Sequence, residues 1–118
     1  MEEERSTERL LFNIIKPKML GKPPTARHSH SINFISKLGI VVIYGGRNDT
    51  LGKFPVLSDV WLIKLHNMNY QEVLIGGLNM PNPRCSHASF VNETELIICG
   101  GQGEGFRYLK DIEKVNFD

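Results

Sequence analysis

Apolar residues in this chain gather into short runs broken by glycine or polar turns, and apart from the charged leader no stretch carries a helical period. Ile40-Val41-Val42-Ile43-Tyr44 and Leu96-Ile97-Ile98-Cys99 are uninterrupted, rich in β-branched residues, and each ends in Gly-Gly. That is the pattern of strands covered on both faces. Ile32 and Phe34 alternate with Ser31 and Asn33, while Trp61, Ile63 and Leu65 fall on one side of a pleat. Glu113, Val115 and Phe117 hold the same phase further on. The pattern predicts strands near 30–35, 40–45, 59–65 and 70–75, and again at 86–91 and 96–100 and after Asp111. They would be antiparallel and joined by short turns. The expected class is all-β.

These elements recur. Pro23-Pro24-Thr25-Ala26-Arg27-His28-Ser29-His30, then Gly45-Gly46, then Leu57-Ser58-Asp59-Val60 is echoed by Pro81-Asn82-Pro83-Arg84-Cys85-Ser86-His87, Gly100-Gly101 and Leu109-Lys110-Asp111-Ile112. Arg27 to Arg84 and His30 to His87 are each 57 apart, Gly45 to Gly100 is 55 and Asp59 to Asp111 is 52. A period of this length, with paired glycines after an apolar run, marks an array of β-sheet blades. Over roughly residues 23–118 the chain resembles the kelch repeat family. Trp61 is matched by Glu113, and Tyr70 stands where that family places a tryptophan.

The resemblance implies a partial kelch β-propeller of about two four-stranded blades. Residues 1–22 form a leader with an orphan outer strand near 10–16. Residues 23–79 form the first repeat, and residues 80–118 a second that lacks its fourth strand. Propellers place four to eight blades around an axis, and repeat units do not bury their faces alone. A fragment or segment of a larger assembly is therefore expected. The alternative is a self-associating ring, in which one chain's leader strand completes its neighbour's last blade through the unpaired edges.

Charge narrows the partners. A net charge of +1 and the absence of a basic block imply neither nucleic acid nor an anionic membrane surface, and no apolar stretch approaches spanning length. The start, Met1-Glu2-Glu3-Glu4-Arg5, lacks the apolar core of a secretory signal. The Asn48-Asp49-Thr50 and Asn92-Glu93-Thr94 sequons are accordingly read as chance. Two cysteines, Cys85 and Cys99, are too few for a disulfide framework. A cytoplasmic protein with reduced thiols is the expectation.

Three groupings resemble chemistry, and each has a structural reading. His28-x-His30 and Cys85-x-His87 offer zinc-type ligands. However, equivalent positions in neighbouring sheets should stand about 10 Å apart, against zinc bonds of about 2.0–2.3 Å. No metal is expected. The run Gly100-Gly101-Gln102-Gly103-Glu104-Gly105 lacks the lysine and the following helix of a phosphate loop. Some kelch-type propellers are copper radical oxidases, but Tyr44, Tyr70 and Tyr108 form no grouping of that kind. No enzyme activity and no cofactor are expected.

What the resemblance implies instead is a protein-interaction module, binding a partner through the loops between outer and inner strands (D–A) and between the second and third strands (B–C). The candidate contacts are Arg27 and Arg84 on the D–A loops, with Arg47, Asn48, Gln102 and Arg107 on the B–C loops. An arginine fork suits bidentate contact with carboxylates, so an acidic segment of a partner is the expected ligand. Arg27 and Arg84 also belong to the repeating pattern and can serve to brace adjacent loops. Asp59 and Asp111 read as turn-bracing acceptors at the start of the third strand.

Overall fold

The computed structural model describes residues 9–74 and 81–118, and within them the fold is all-β. Seven strands among the described residues form two antiparallel sheets: β1 (Ser31–Ile35), β2 (Ile40–Tyr44), β3 (Val60–Lys64) and β4 (Asn69–Val73) in the first, β5 (Ala88–Asn92), β6 (Glu95–Cys99) and β7 (Ile112–Asn116) in the second. Each sheet is a meander whose neighbours in sequence are neighbours in space. The remaining regular structure is two single 3-10 turns, Asp49–Leu51 and Glu104–Phe106.

The β-branched runs become the middle strands because only there do both edges find partners. Ser31 pairs with Tyr44 across β1 and β2, and Tyr44 with Val60 across β2 and β3. Ala88 pairs with Cys99, and Cys99 with Ile112, in the same relation. Ile35, Ile40, Val42, Tyr44 and Val60 of the first sheet join Leu96, Ile98 and Val115 of the second in one apolar cluster. Fully burying side chains such as Leu96 and Ile98 stabilises by about 1.5–3 kcal/mol each. The first strands of the two sheets lie side by side, fixed by a 2.7 Å hydrogen bond from Ser89 Oγ to Asn33 Oδ1.

Two expectations change, and a third falls largely outside the described residues. Residues 10–16 form no strand, and Leu10, Leu11, Phe12, Ile14 and Ile15 are all exposed. A strand needs an edge to pair with, and among the described residues the leader bonds to the first sheet through Leu20, in a parallel bridge to Asn69 on the outer side of β4. Second, β6 is fully covered only at Leu96 and Ile98, with Ile97 and Cys99 half-buried, because the first sheet covers one side of it. Third, the outer strand ends at Val73; Ile75, the repeat boundary at 79–80 and the acidic residues at the start lie outside the described residues. No described helix is long and apolar enough to cross a membrane.

Candidate functional site

The Gly-Gly pair that ends each middle strand turns the chain into a loop and brings the D–A and B–C segments together by the same backbone bonds in both units. His28 and Arg47 exchange N–H···O bonds of 3.0 and 2.8 Å, and Cys85 and Gln102 exchange two of 2.9 Å. Leu57 N donates to Gly46 O and Leu109 N to Gly101 O, both at 2.9 Å. Gly46 and Gly101 have φ of 103° and 92°. A Cβ at Gly101 would stand 2.6 Å from Cys85 O, so this corner admits glycine alone.

Beneath these loops each unit holds an arginine cage. Arg27 clasps Asp59 with bonds of 2.6 and 2.9 Å and donates at 3.1 Å to Gly45 O. Arg84 clasps Asp111 with two of 2.9 Å and donates at 2.9 Å to Gly100 O. Asp59 also accepts from Trp61 Nε1 at 2.8 Å. Arg84 instead gains a second carboxylate, Glu113, at 3.1 Å. Burial pushes the Asp59 carboxyl up, yet hydrogen bonds from Arg27 and Trp61 outweigh it and hold the pKa below the ordinary value. The Arg84 hydrogen bond holds Asp111 below it as well. Asp59 and Asp111 are thus the turn-bracing acceptors expected of them.

The cages correct the expected binding residues. The Arg84 side chain is 0% exposed and that of Arg27 almost as fully covered, so neither presents a guanidinium to a partner. Their forks are closed on Asp111 and Asp59. Asn48 is also turned inward to the loops: it donates to Ala26 O at 2.7 Å and accepts from Thr50 N at 2.9 Å. Arg107 is exposed, and Gln102 is half-buried.

The surface that remains is a different set, with a half-buried Arg47 beside exposed aromatic rings. Arg47 Nε donates to Asp49 Oδ1 at 2.6 Å, and its guanidinium lies 4.9 Å from the ring centroid of Phe106. Both Nη groups of Arg47 are without a partner among the described residues. Phe106 is 66% exposed and Tyr108 81%, with Phe54 and His28 also open to solvent. Arg47 over Phe106 joins the B–C loops of the two units into one surface. The repeat pattern does not contain Phe54, Phe106 or Tyr108; their signal in the sequence is a large aromatic inside a Gly-rich or turn-forming loop.

Beside this surface, Ser86, Gly101, Gln102, Tyr108 and Leu109 line an open cleft of about 340 Å³. Deeper in, His87 sits between the sheets, its ring edge-on to Tyr44 at 5.0 Å, with neither ring nitrogen hydrogen-bonded. Burial, with the charges of Arg84 and His30, pushes its pKa down to about 4. No three His, Cys, Asp or Glu side chains converge in metal-holding geometry among the described residues, and both cysteines are free. No protein-family model matches the sequence, and a search of curated proteins finds no match to it.

Proposed function

We propose that the chain is a protein-interaction module, part of a kelch-type propeller, and that it binds an acidic segment of a partner protein in the cytoplasm through its B–C loop surface. One observation carries this reading: Arg47, its Nη groups unpaired, lies over the exposed ring of Phe106 and unites the loops of both units. Arginine and aromatic side chains dominate interface hot spots, and a partner carboxylate can be clasped by the Nη pair that Asp49 leaves open. Arg107 and Tyr108 extend the surface. The contact set is Arg47, Phe106, Tyr108 and Arg107, in place of the caged Arg27 and Arg84. Free thiols at Cys85 and Cys99 agree with a reducing compartment.

Quantitative affinity capture tests it, with wild-type chain and the Arg47→Ala and Phe106→Ala variants as matched baits. The expected result is one shared set of proteins held by the wild type, released by rising salt and lost together in both variants. Equal capture by all three baits removes the loop surface from the account.

A second reading, a structural or assembly subunit, is favoured by the exposed apolar run Leu10–Ile15. The two readings separate on the loop variants, which leave assembly untouched.

A further inference from the structure

The contact between the two sheets contains its own template for a third. Three backbone bonds join the units beyond the strands: Gly46 N donates to Arg84 O at 2.8 Å, Arg84 N to Leu57 O at 3.2 Å, and Ser86 N to Ser29 O at 2.9 Å. The second unit's Pro-x-x-Arg-x-Ser loop is thereby seated on a face of the first made by Ser29, Gly46 and Leu57. Shifted by one repeat, those face residues are Ser86, Gly101 and Leu109. These are three of the five residues that line the open cleft. Gly101 N, Leu109 O and Ser86 O have no partner among the described residues. At the far side of the molecule, Arg27 N, Arg27 O and Ser29 N, the counterparts of the seated loop's atoms, have none either. The glycines register the same difference. A Cβ at Gly45 would meet Arg84 O at 2.6 Å and His87 at 3.1 Å, both across the interface, whereas one at its counterpart Gly100 would meet only Leu109 O of its own unit.

The side chains at the inner strands complete the match. Where the two sheets meet, Asn33 of the first bonds to Ser89 of the second. One repeat on, the position of Asn33 is held by Phe90; one repeat back, that of Ser89 is held by Ile32. Phe90 is 52% exposed and Ile32 60%. A polar pair inside the chain is thus replaced by two solvent-facing apolar residues at its two ends, positioned to meet each other.

We infer that the cleft of Ser86, Gly101 and Leu109 docks the residue 23–30 loop of a second copy of this chain, head to tail, with Phe90 of one copy against Ile32 of the next. The contact is heterologous, so it propagates from copy to copy and closes when the rotation permits. The cleft shares Tyr108 with the partner-binding surface but not Arg47 or Phe106, and variants at Ile32 and Phe90 test it without touching either.

Because the two halves of the interface differ, complementation tests it. Ile32→Arg blocks the loop side and leaves the cleft intact; Phe90→Arg blocks the cleft side and leaves the loop intact. Both residues are solvent-facing, and circular dichroism confirms that each variant keeps its strands. Sedimentation velocity should show concentration-dependent association of the wild type, monomers for each variant alone, and a dimer for their equimolar mixture that grows no further. A wild type that stays monomeric at every concentration assigns the cleft to another segment or another protein, and overturns the inference. Variants that still associate alone place the contact elsewhere and overturn it equally, as does a mixture that fails to dimerise.

Discussion

The outward face of the first unit and the outward face of the second are built alike and end differently. On the first, Gly46 N and Leu57 O are bonded to Arg84 of the neighbouring loop, and the Tyr44 hydroxyl donates to Asn82 O. On the second, Gly101 N and Leu109 O border a cleft, and Cys99 stands where Tyr44 does. The comparison separates two kinds of position. Residues that repeat (Arg, Asp, Gly-Gly and the turn serine) make the frame. Residues that break the repeat decide what the frame meets: Tyr44 against Cys99, Trp61 against Glu113, Arg47 against Gln102, Asn33 against Phe90.

Removing a frame residue should have the largest effect, and a larger one where the cage carries the inter-sheet contact. Arg84→Ala strips Asp111 of its clasp, leaves Glu113 with Asn82 alone, opens a space in the inter-sheet contact, and should lower stability by about 3 kcal/mol. Arg27→Ala leaves Asp59 still bonded to Trp61 and should lower it by about 2 kcal/mol. Urea unfolding checks both; a larger loss at Arg27 would show that the cage at the inter-sheet contact is not the stronger of the two. Lysine should rescue neither, since a point charge does not reproduce the two-pronged clasp.

Tyr44→Phe removes a single covered-face bond, that to Asn82 O. It should lower stability by about 1 kcal/mol in the same unfolding assay.

Acid should loosen the covered face in two stages. The unfolded chain takes up a proton at His87 near pH 6.5 that the folded chain accepts only at about 4. The contribution is therefore complete above pH 6.5 and lost as pH falls from there to about 4. His30, also held below its ordinary value by burial and by Arg27 and His28, acts in the same sense. Asp59 and Asp111 have depressed values, so their contribution is present above pH 3.8 and lost below it as pH falls further. Thermal melting of His87→Phe should show a flatter dependence between pH 6.5 and 4 and an unchanged fall below it.

The smallest effect on folding belongs to the loop surface. Arg47→Ala should shift stability by no more than about 0.5 kcal/mol. Differential scanning calorimetry checks it, while partner capture falls.

The strands were legible in the sequence because burial acts on near neighbours. Ile40–Tyr44 and Leu96–Cys99 declare themselves as apolar runs ending in Gly-Gly, and β1 and β3 follow from alternation. The cages were half-legible. Arg and Asp recur together in both repeats, but Arg27 and Asp59 lie 32 residues apart and Arg84 and Asp111 27 apart. Residue type alone left Arg27 and Arg84 open to a binding or a bracing role; only the closed fork decides it. The leader misled because Leu-Leu-Phe-Asn-Ile-Ile has a strand's composition, whereas a strand also needs an edge. Phe54, Phe106 and Tyr108 were missed because an exposed aromatic does not repeat and leaves no periodic trace; only their place in turn-forming loops marks them.

Amide hydrogen exchange, followed residue by residue on a dilute sample, tests most directly whether the two faces differ by their occupant alone. The amides of Gly46, Arg84 and Ser86, bonded across the interface, should be strongly protected, and those of Gly101, Arg27 and Ser29, their equivalents one repeat away, should exchange fast. Gly46 exchanging as fast as Gly101 would contradict the account.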